Sequence, residues 1–359
     1  MGPSSEVSKA VEDMGRRDAR RDSVAHSVVM KRNANPETTM KPRSALALTA
    51  LLFALTPAAA QDWPGKTVRL IVPFGAGSTP DMVGRLIADH LQQTLGQPFV
   101  IENRPGASAN TGTDVVAKAE PDGYTIGISL GGPLAINTLL FARMPYDPKK
   151  DIGLITMLTT QPSLLFVNAS LGVNSVAELI ALLKKNPGKY NYGSIGNGSL
   201  SHLAMEAIAL KSGTTMVHIP YPGSPQVVTA VLRNDVQMAC MPAIAVTPHV
   251  AGGQIKVLAQ SLAQRSALLP DYPTLRQAGV DVEADAWNGL IAPGRTPEPI
   301  ITKIHDAVVA ALGTPSVRDK LATQFMEPMP TTPAQFRAKI DADLARWAPV
   351  IKAIDIKIN

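Results

Sequence analysis

The stretch Leu70–Arg85, LIVPFGAGSTPDMVGR, constrains this chain more tightly than any other. Val68, Leu70, Ile71 and Val72 form the short apolar, β-branched run that a buried parallel strand needs. Gly75, Ala76 and Gly77 then remove side-chain bulk, so a ligand can approach the backbone closely. Thr79 reads as an N-cap, Pro80 as the first helical residue and Asp81 as a first-turn carboxylate. Val83, Leu86, Ile87 and Leu91 give the following helix one apolar face. Strand, small loop and helix start aim free N–H groups and a partial positive charge at one point, which binds anions without lysine or arginine. GxxxxGK[ST] is absent and GAGSTP fails GxGxxG at its last position, so a nucleotide is disfavoured.

Upstream, residues 1–39 are polar, carry arginine pairs at Arg16–Arg17 and Arg20–Arg21, and show no apolar period. They read as a disordered extension from an early start codon. Residues 40–60 read as a secretory signal peptide: Lys41 and Arg43, the apolar run Ala45–Leu55, then Ala58-Ala59-Ala60 as the cleavage site. That predicts a periplasmic protein beginning near Gln61. Residues 1–60 carry 9 of the 34 basic and 6 of the 29 acidic side chains, leaving 25 against 23 and a formal charge of +2. The overall +5 therefore belongs mostly to the leader, which weakens any case for nucleic acid. The single Cys240 has no internal disulfide partner and reads as a small buried hydrophobe.

Further strands are expected at 99–103 and 124–129, with a helix near 113–119 and small-residue loops at Arg104–Gly112 and Leu130–Pro133. This order argues a doubly wound, mostly parallel α/β sheet, whose ligands sit at the carboxyl ends of strands. The strand 190–194 leads through Gly193–Ser199 into a helix near 201–211, repeating the opening logic. Two opposed helix starts suit a molecule with carboxylates. No catalytic set accompanies them. His202 and Glu206 share a helix face without a third metal ligand, Gly198-Ser199-Leu200 does not complete GxSxG, and Asp81 and Asp114 sit where helix-start carboxylates normally go. A binder without cofactor or metal is expected.

Several short stretches, in order, carry a family resemblance. They are Trp63-Pro64 with Leu70–Asp81, Glu102–Ala107, Pro121–Thr125, and Pro145–Pro148 with Lys150-Asp151. Gly193–Leu203, Val217–Tyr221, Leu258-Ala259, Pro270–Thr274, Ala278-Gly279, Trp287–Leu290 and Ala292-Pro293 follow. On these the chain from residue 61 resembles the periplasmic substrate-binding proteins of tripartite tricarboxylate transporters, the Bug family. The resemblance implies a two-lobed Venus-flytrap fold of the type II periplasmic-binding-protein kind. Lobe 1 is expected to hold 61–162 and 286–359, and lobe 2 to hold 163–285. It further implies a monomeric receptor for a small di- or tricarboxylate or acidic amino acid, serving membrane transporter subunits or a sensor kinase. The expected ligand-binding residues are Phe74, Gly75, Ala76, Gly77, Ser78, Thr79, Asp81 and Ser129, with Ser194, Gly196, Ser199, His202 and Tyr221. The family often has paired glycines where Gly77-Ser78 stands, a Gly-rich loop at Ala107–Asn110, and an Asp at Gln237. A Ser-dependent esterase or amidase using Ser199 or Ser194 is the competing reading.

Overall fold

The computed structural model describes residues 63–358, and the expected extension, signal segment and cleavage site lie outside them. The chain runs β1 (Val68–Val72), α1 (Thr79–Leu95), β2 (Phe99–Asn103), α2 (Asn110–Ala117), β3 (Thr125–Leu130) and β4 (Ile152–Gln161). It continues through β5 (Ser163–Asn168), α3 (Val176–Lys185), β6 (Asn191–Ser194), α4 (Leu200–Ser212), β7 (Val217–Pro220) and α5 (Ser224–Leu232). Next come β8 (Met238–Pro242), β9 (Ile255–Gln260), β10 (Ala286–Pro293), α6 (Glu298–Gly313), α7 (Pro315–Ala322), β11 (Glu327–Pro328) and α8 (Pro333–Ile354).

The strands make two sheets, ordered β11-β4-β10-β3-β1-β2 and β7-β6-β8-β5-β9. In the first, β1 to β4 run one way and β10 and β11 the other. In the second, only β5 opposes the rest. Both sheets are thus mostly parallel, each with a reversed strand inserted where the chain changes sheets. The chain passes from the first sheet to the second at Gln161-Pro162-Ser163, and returns after Gln260 to begin β10 at Ala286. Ser261 stitches the two passages together: its hydroxyl accepts from the Ser163 N–H at 2.9 Å and donates to the Ala284 carbonyl at 2.8 Å.

Apolar faces place the helices. Val83, Ile87 and Leu91 of α1 and Ile301, Ile304 and Val308 of α6 are buried in one cluster with the β1 and β3 side chains. α8 begins with a capping box, Thr332 with Gln335, and Pro333 in its first turn. Its first half, with Phe336 and Ile340, packs in the cluster that holds Trp287 and Ile291 of the first sheet. Its second half, with Trp347, Val350 and Ile351, joins Leu203 and Ala204 of α4 and Leu165 of the second sheet. One helix therefore fastens to both sheets. Gly289 has no room for more, because an added Cβ would lie 2.2 Å from the Phe336 ring.

Three local expectations are corrected. The N-cap position of α1 is Ser78, not Thr79, and its hydroxyl makes no cap bond; the buried Asp81 carboxylate takes the Gly77 N–H instead. α2 starts at Asn110 because the left-handed turn before it delivers the chain straight into helical geometry. The expected loop Leu130–Pro133 instead carries β3 to Leu130, then turns helical from Gly132 with Pro133 in the first turn and ends in a short helix, Asn137–Leu140.

Candidate functional site

Between the two sheets lies a cavity of about 430 Å³. Its wall combines Phe74 after β1, Ser108 and Ala109 before α2, the segment from Leu130 to Leu140, and Ile195–Leu200 before α4. Asp285–Trp287 at the return passage, Asp343 and Trp347 of α8, and Ile358 complete it. Among the described residues, no lysine, arginine or histidine lines it.

The β6–α4 loop is held from beneath. The Ile195 N–H donates to Ser201 Oγ at 3.1 Å, the Gly196 N–H to Ser194 Oγ at 3.1 Å, and the Gly198 N–H to His202 Nδ1 at 3.1 Å. Ser199 caps α4, its hydroxyl accepting from the His202 N–H and donating to the Gly196 carbonyl. Among the described residues, the N–H groups of Asn197 and Leu200 find no protein acceptor, and both residues line the cavity. Of the six N–H groups from Ile195 to Leu200, four, with that of Ser199 on the Gly196 carbonyl, hold the loop's shape and two are left for a ligand. In the β1–α1 loop the Gly77 N–H goes to Asp81 and the Ser78 N–H to the Gly75 carbonyl.

Beneath the β6–α4 loop, His202 stacks on His218 at 3.9 Å between centroids, and Tyr192 lies 5.0 Å from His218. His218 Nε2 meets Ser194 Oγ at 2.6 Å, and the Tyr192 hydroxyl donates to Glu206. Burial and then the neighbouring His218 lower the His202 pKa to about 4, and burial also lowers that of His218. With Nδ1 accepting from Gly198, neutral His202 carries its proton on Nε2, which faces Glu206 at 3.9 Å. Ser199 Oγ bonds backbone and Ser201, not an imidazole, and Ser194 is fully buried. Neither serine is presented as a nucleophile.

The turn before α2 is strained. Ala107, Ser108 and Ala109 have φ of +46°, +52° and +71°, a left-handed region costing side-chain-bearing residues roughly 1–2 kcal/mol each. The turn persists because its outputs are fixed. Asn137 Nδ2 donates to the Ser108 carbonyl at 3.1 Å and to Asn110 Oδ1 at 2.8 Å, while Thr113 Oγ1 donates to the Ala109 carbonyl. The Tyr146 hydroxyl also reaches Asn110 Oδ1. Strain held in this way clusters at ligand clamps.

Of the residues expected from sequence, Phe74 and Ser199 line the cavity. Gly75, Ala76 and Gly77 are exposed, with Ser78 and Thr79 half-buried, all outside its wall. Asp81 is 2% exposed and bound by Gly77, Arg85 and Asn103, so of its two expected roles the geometry supports the helix start and leaves no carboxylate oxygen for a ligand amine. Burial opposes its charge, but those hydrogen bonds outweigh it and keep its pKa below the usual carboxylate range. Ser129 is buried against Thr113, Ser194, Gly196 and His202 shape the loop from below, and Tyr221 sits apart, its N–H on the Ser194 carbonyl. The Leu130–Leu140 segment, Trp287, Trp347, Asp285, Asp343 and Ile358 were missed. Only Gly131-Gly132-Pro133 and the Trp287-Asn288-Gly289 run gave a local signal for them.

The chain is similar to known proteins over most of its length. The model of the tripartite tricarboxylate transporter family receptor, TctC, matches residues 83–356. Protein BugT of Bordetella pertussis is 33% identical over 305 residues, covering 84% of this chain and 94% of that one. The solved structure of R. palustris Rpa4515 with adipate is 37% identical, with a TM-score of 0.71 over 82% of this chain and 99% of that one. MatC (Rpa3494) from Rhodopseudomonas palustris with bound malate is 30% identical, with a TM-score of 0.67 over 80% and 100%.

Two outcomes follow from the site's internal bonding. Ser108→Gly releases left-handed strain and should raise stability by about 1 kcal/mol in urea unfolding; an unchanged or lower midpoint would show that the turn is unstrained. For His202, the folded pKa of about 4 lies below the unfolded value near 6.5, so the unfolded chain gains a proton first as pH falls. Its contribution is complete above pH 6.5 and is lost at up to about 1.4 kcal/mol per pH unit down to about pH 4. His202→Gln, which keeps an acceptor for Gly198, should flatten that slope relative to wild type. Identical slopes would remove His202 as its source.

Proposed function

The chain belongs to the tripartite tricarboxylate transporter receptor family, and on that basis we propose that it is a periplasmic receptor that closes two lobes on a small carboxylate and presents it to the membrane subunits of a transporter. One observation carries the carboxylate reading: a cavity walled by strand–loop–helix turns, with backbone N–H groups of Asn197 and Leu200 unspent and no basic side chain in the wall. A helix start with free amides holds a carboxylate by dipole and hydrogen bond. Adipate and malate in the related structures are the same chemistry. Lobe 1 is taken as 61–162 with 286–359 and lobe 2 as 163–285, so the ligand touches both. The loop residues Phe74–Thr79 come into reach of the ligand on closure.

Ser199→Asp tests the anion end. Aspartate is as good an N-cap as serine, so the melting temperature should stay within a few degrees while a negative charge enters the wall. Calorimetric titration should then show carboxylate affinity at least about tenfold weaker, a loss of roughly 1.4 kcal/mol. A folded variant with wild-type affinity would refute the placement.

Export is proposed through residues 40–60, with cleavage after Ala60 as the A-x-A pattern indicates. Mass spectrometry of protein from the periplasmic fraction should find Gln61 first, whereas an intact Met1 or Met40 terminus there would sink this.

A further inference from the structure

Among the described residues, five large hydrophobic side chains are exposed: Phe74, Val100, Ile195, Leu210 and Val217. Two of the five stand on the cavity wall, Phe74 at 37% exposure and Ile195 at 43%. Phe74 follows β1 of the first sheet and Ile195 follows β6 of the second, so each sits in one of the two strand–loop–helix turns. Neither is exposed because its loop is loose. The Phe74 carbonyl accepts from Asn103 Nδ2 at 2.9 Å, and that amide group also donates to Asp81 at 2.9 Å. The Ile195 N–H donates to Ser201 Oγ at 3.1 Å, and the next N–H, of Gly196, to Ser194 Oγ. Backbones fixed in this way hold both side chains out in water. Ile is stiff at χ1 and Phe has two χ angles, so packing them takes little further ordering.

Gly75, the neighbour of Phe74, is a second and independent sign. It has no positive φ, and a Cβ added to it would meet nothing within 4 Å, so nothing in this form of the protein calls for glycine there. The space beside Phe74 is room for a surface that arrives later. We propose that Phe74 and Ile195 meet when the two sheets close on a ligand, forming an apolar latch that shuts the cavity to water and holds the closed form together. This rests on the reading above of a receptor that closes on a carboxylate, and adds what keeps it closed. Removing both side chains from water favours closure, and a drier cavity strengthens the hydrogen bonds from the amides. The contact joins protein to protein, so it slows the release of every ligand alike and leaves the choice among ligands to the rest of the wall.

A double-mutant cycle over Phe74→Ala and Ile195→Ala tests it, by calorimetry and melting curves on the purified protein. The probe is the tightest binder among adipate, malate, succinate, citrate and glutamate. Each single variant should keep the ligand-free melting temperature within about two degrees, and should lose about tenfold in affinity. The double variant should lose little more than either single one, because removing one partner already removes the contact. Losses that multiply to about a hundredfold mean two separate ligand contacts, and overturn the latch while the receptor stands. Wild-type affinity in both single variants overturns it too, as does a ligand-free melting temperature lowered by several degrees, which would mean packing before closure. Labelling separates cover by Phe74 from cover by the ligand. Cys240 is the chain's only cysteine and is buried, so in Ile195→Cys a maleimide reads position 195 alone. Saturating probe should slow that labelling severalfold, and adding Phe74→Ala should restore most of the rate. Protection that survives Phe74→Ala overturns the latch. No binding by any of these probes overturns the carboxylate reading and this inference with it.

Discussion

Five ionised side chains tie the return passage to α8. Lys339 reaches Glu283, Asp285 and Asp343, and Arg346 reaches Glu283 and Asp343. Lys339 and both aspartates are nearly buried, so these charges are stable only together: removing one partner of a buried pair costs roughly 3–5 kcal/mol. Burial and the Asp285 charge raise the Asp343 pKa, against the opposing pull of Lys339 and the Trp287 N–H. The same charges hold Lys339 protonated against its burial. Trp287 is aimed by this cluster, and Gly131 lies against its ring, where an added Cβ would stand 3.3 Å away. The cavity's shape is thus a consequence of an ion cluster at the junction of the sheets.

The loops obey a second economy. A buried or half-buried N–H must find an acceptor, and here the acceptors are local: Asp81 for Gly77, Ser201 for Ile195, Ser194 for Gly196, His202 for Gly198. Each such bond fixes a peptide plane and so fixes the direction of the neighbouring free amides of Asn197 and Leu200. Ordering done in folding is not charged again on binding. The strained turn at Ala107–Ala109 is tolerated for the same reason, since Asn137, Thr113 and Tyr146 over-determine it.

Much of this was legible in the sequence because periodicity and caps are local. Ser175 before an apolar face marks the start of α3 in the sequence, and Thr332-Pro333 that of α8. The two strand–loop–helix units were visible for the same reason, and the β6–α4 loop does line the cavity. What was hidden depends on long-range contacts. Nothing near Trp347 or Ile358 announces a cavity, because they reach it through the packing of α8 and the chain end against Leu140. The left-handed Ser108 and Ala109 carry no signal in residue type, since glycine is the residue that usually marks such φ values. Asp81 looked like a ligand group only because Arg85 and Asn103 are not seen as its partners until the helix and β2 are folded.

The missing cations in the cavity wall have an electrical consequence. A binding protein that meets an anion with arginine neutralises it, and its affinity falls steeply with added salt. One that meets it with peptide dipoles leaves the guest's charge unneutralised where it sits, so the potential around an occupied cavity is more negative than around an empty one. Screening acts weakly on dipoles buried at close range, so uptake should be nearly indifferent to ionic strength across roughly the 0.01–0.15 M range over which surface pairs fade. A partner surface could then tell the loaded form of this protein from the empty one by the local potential at the cavity alone.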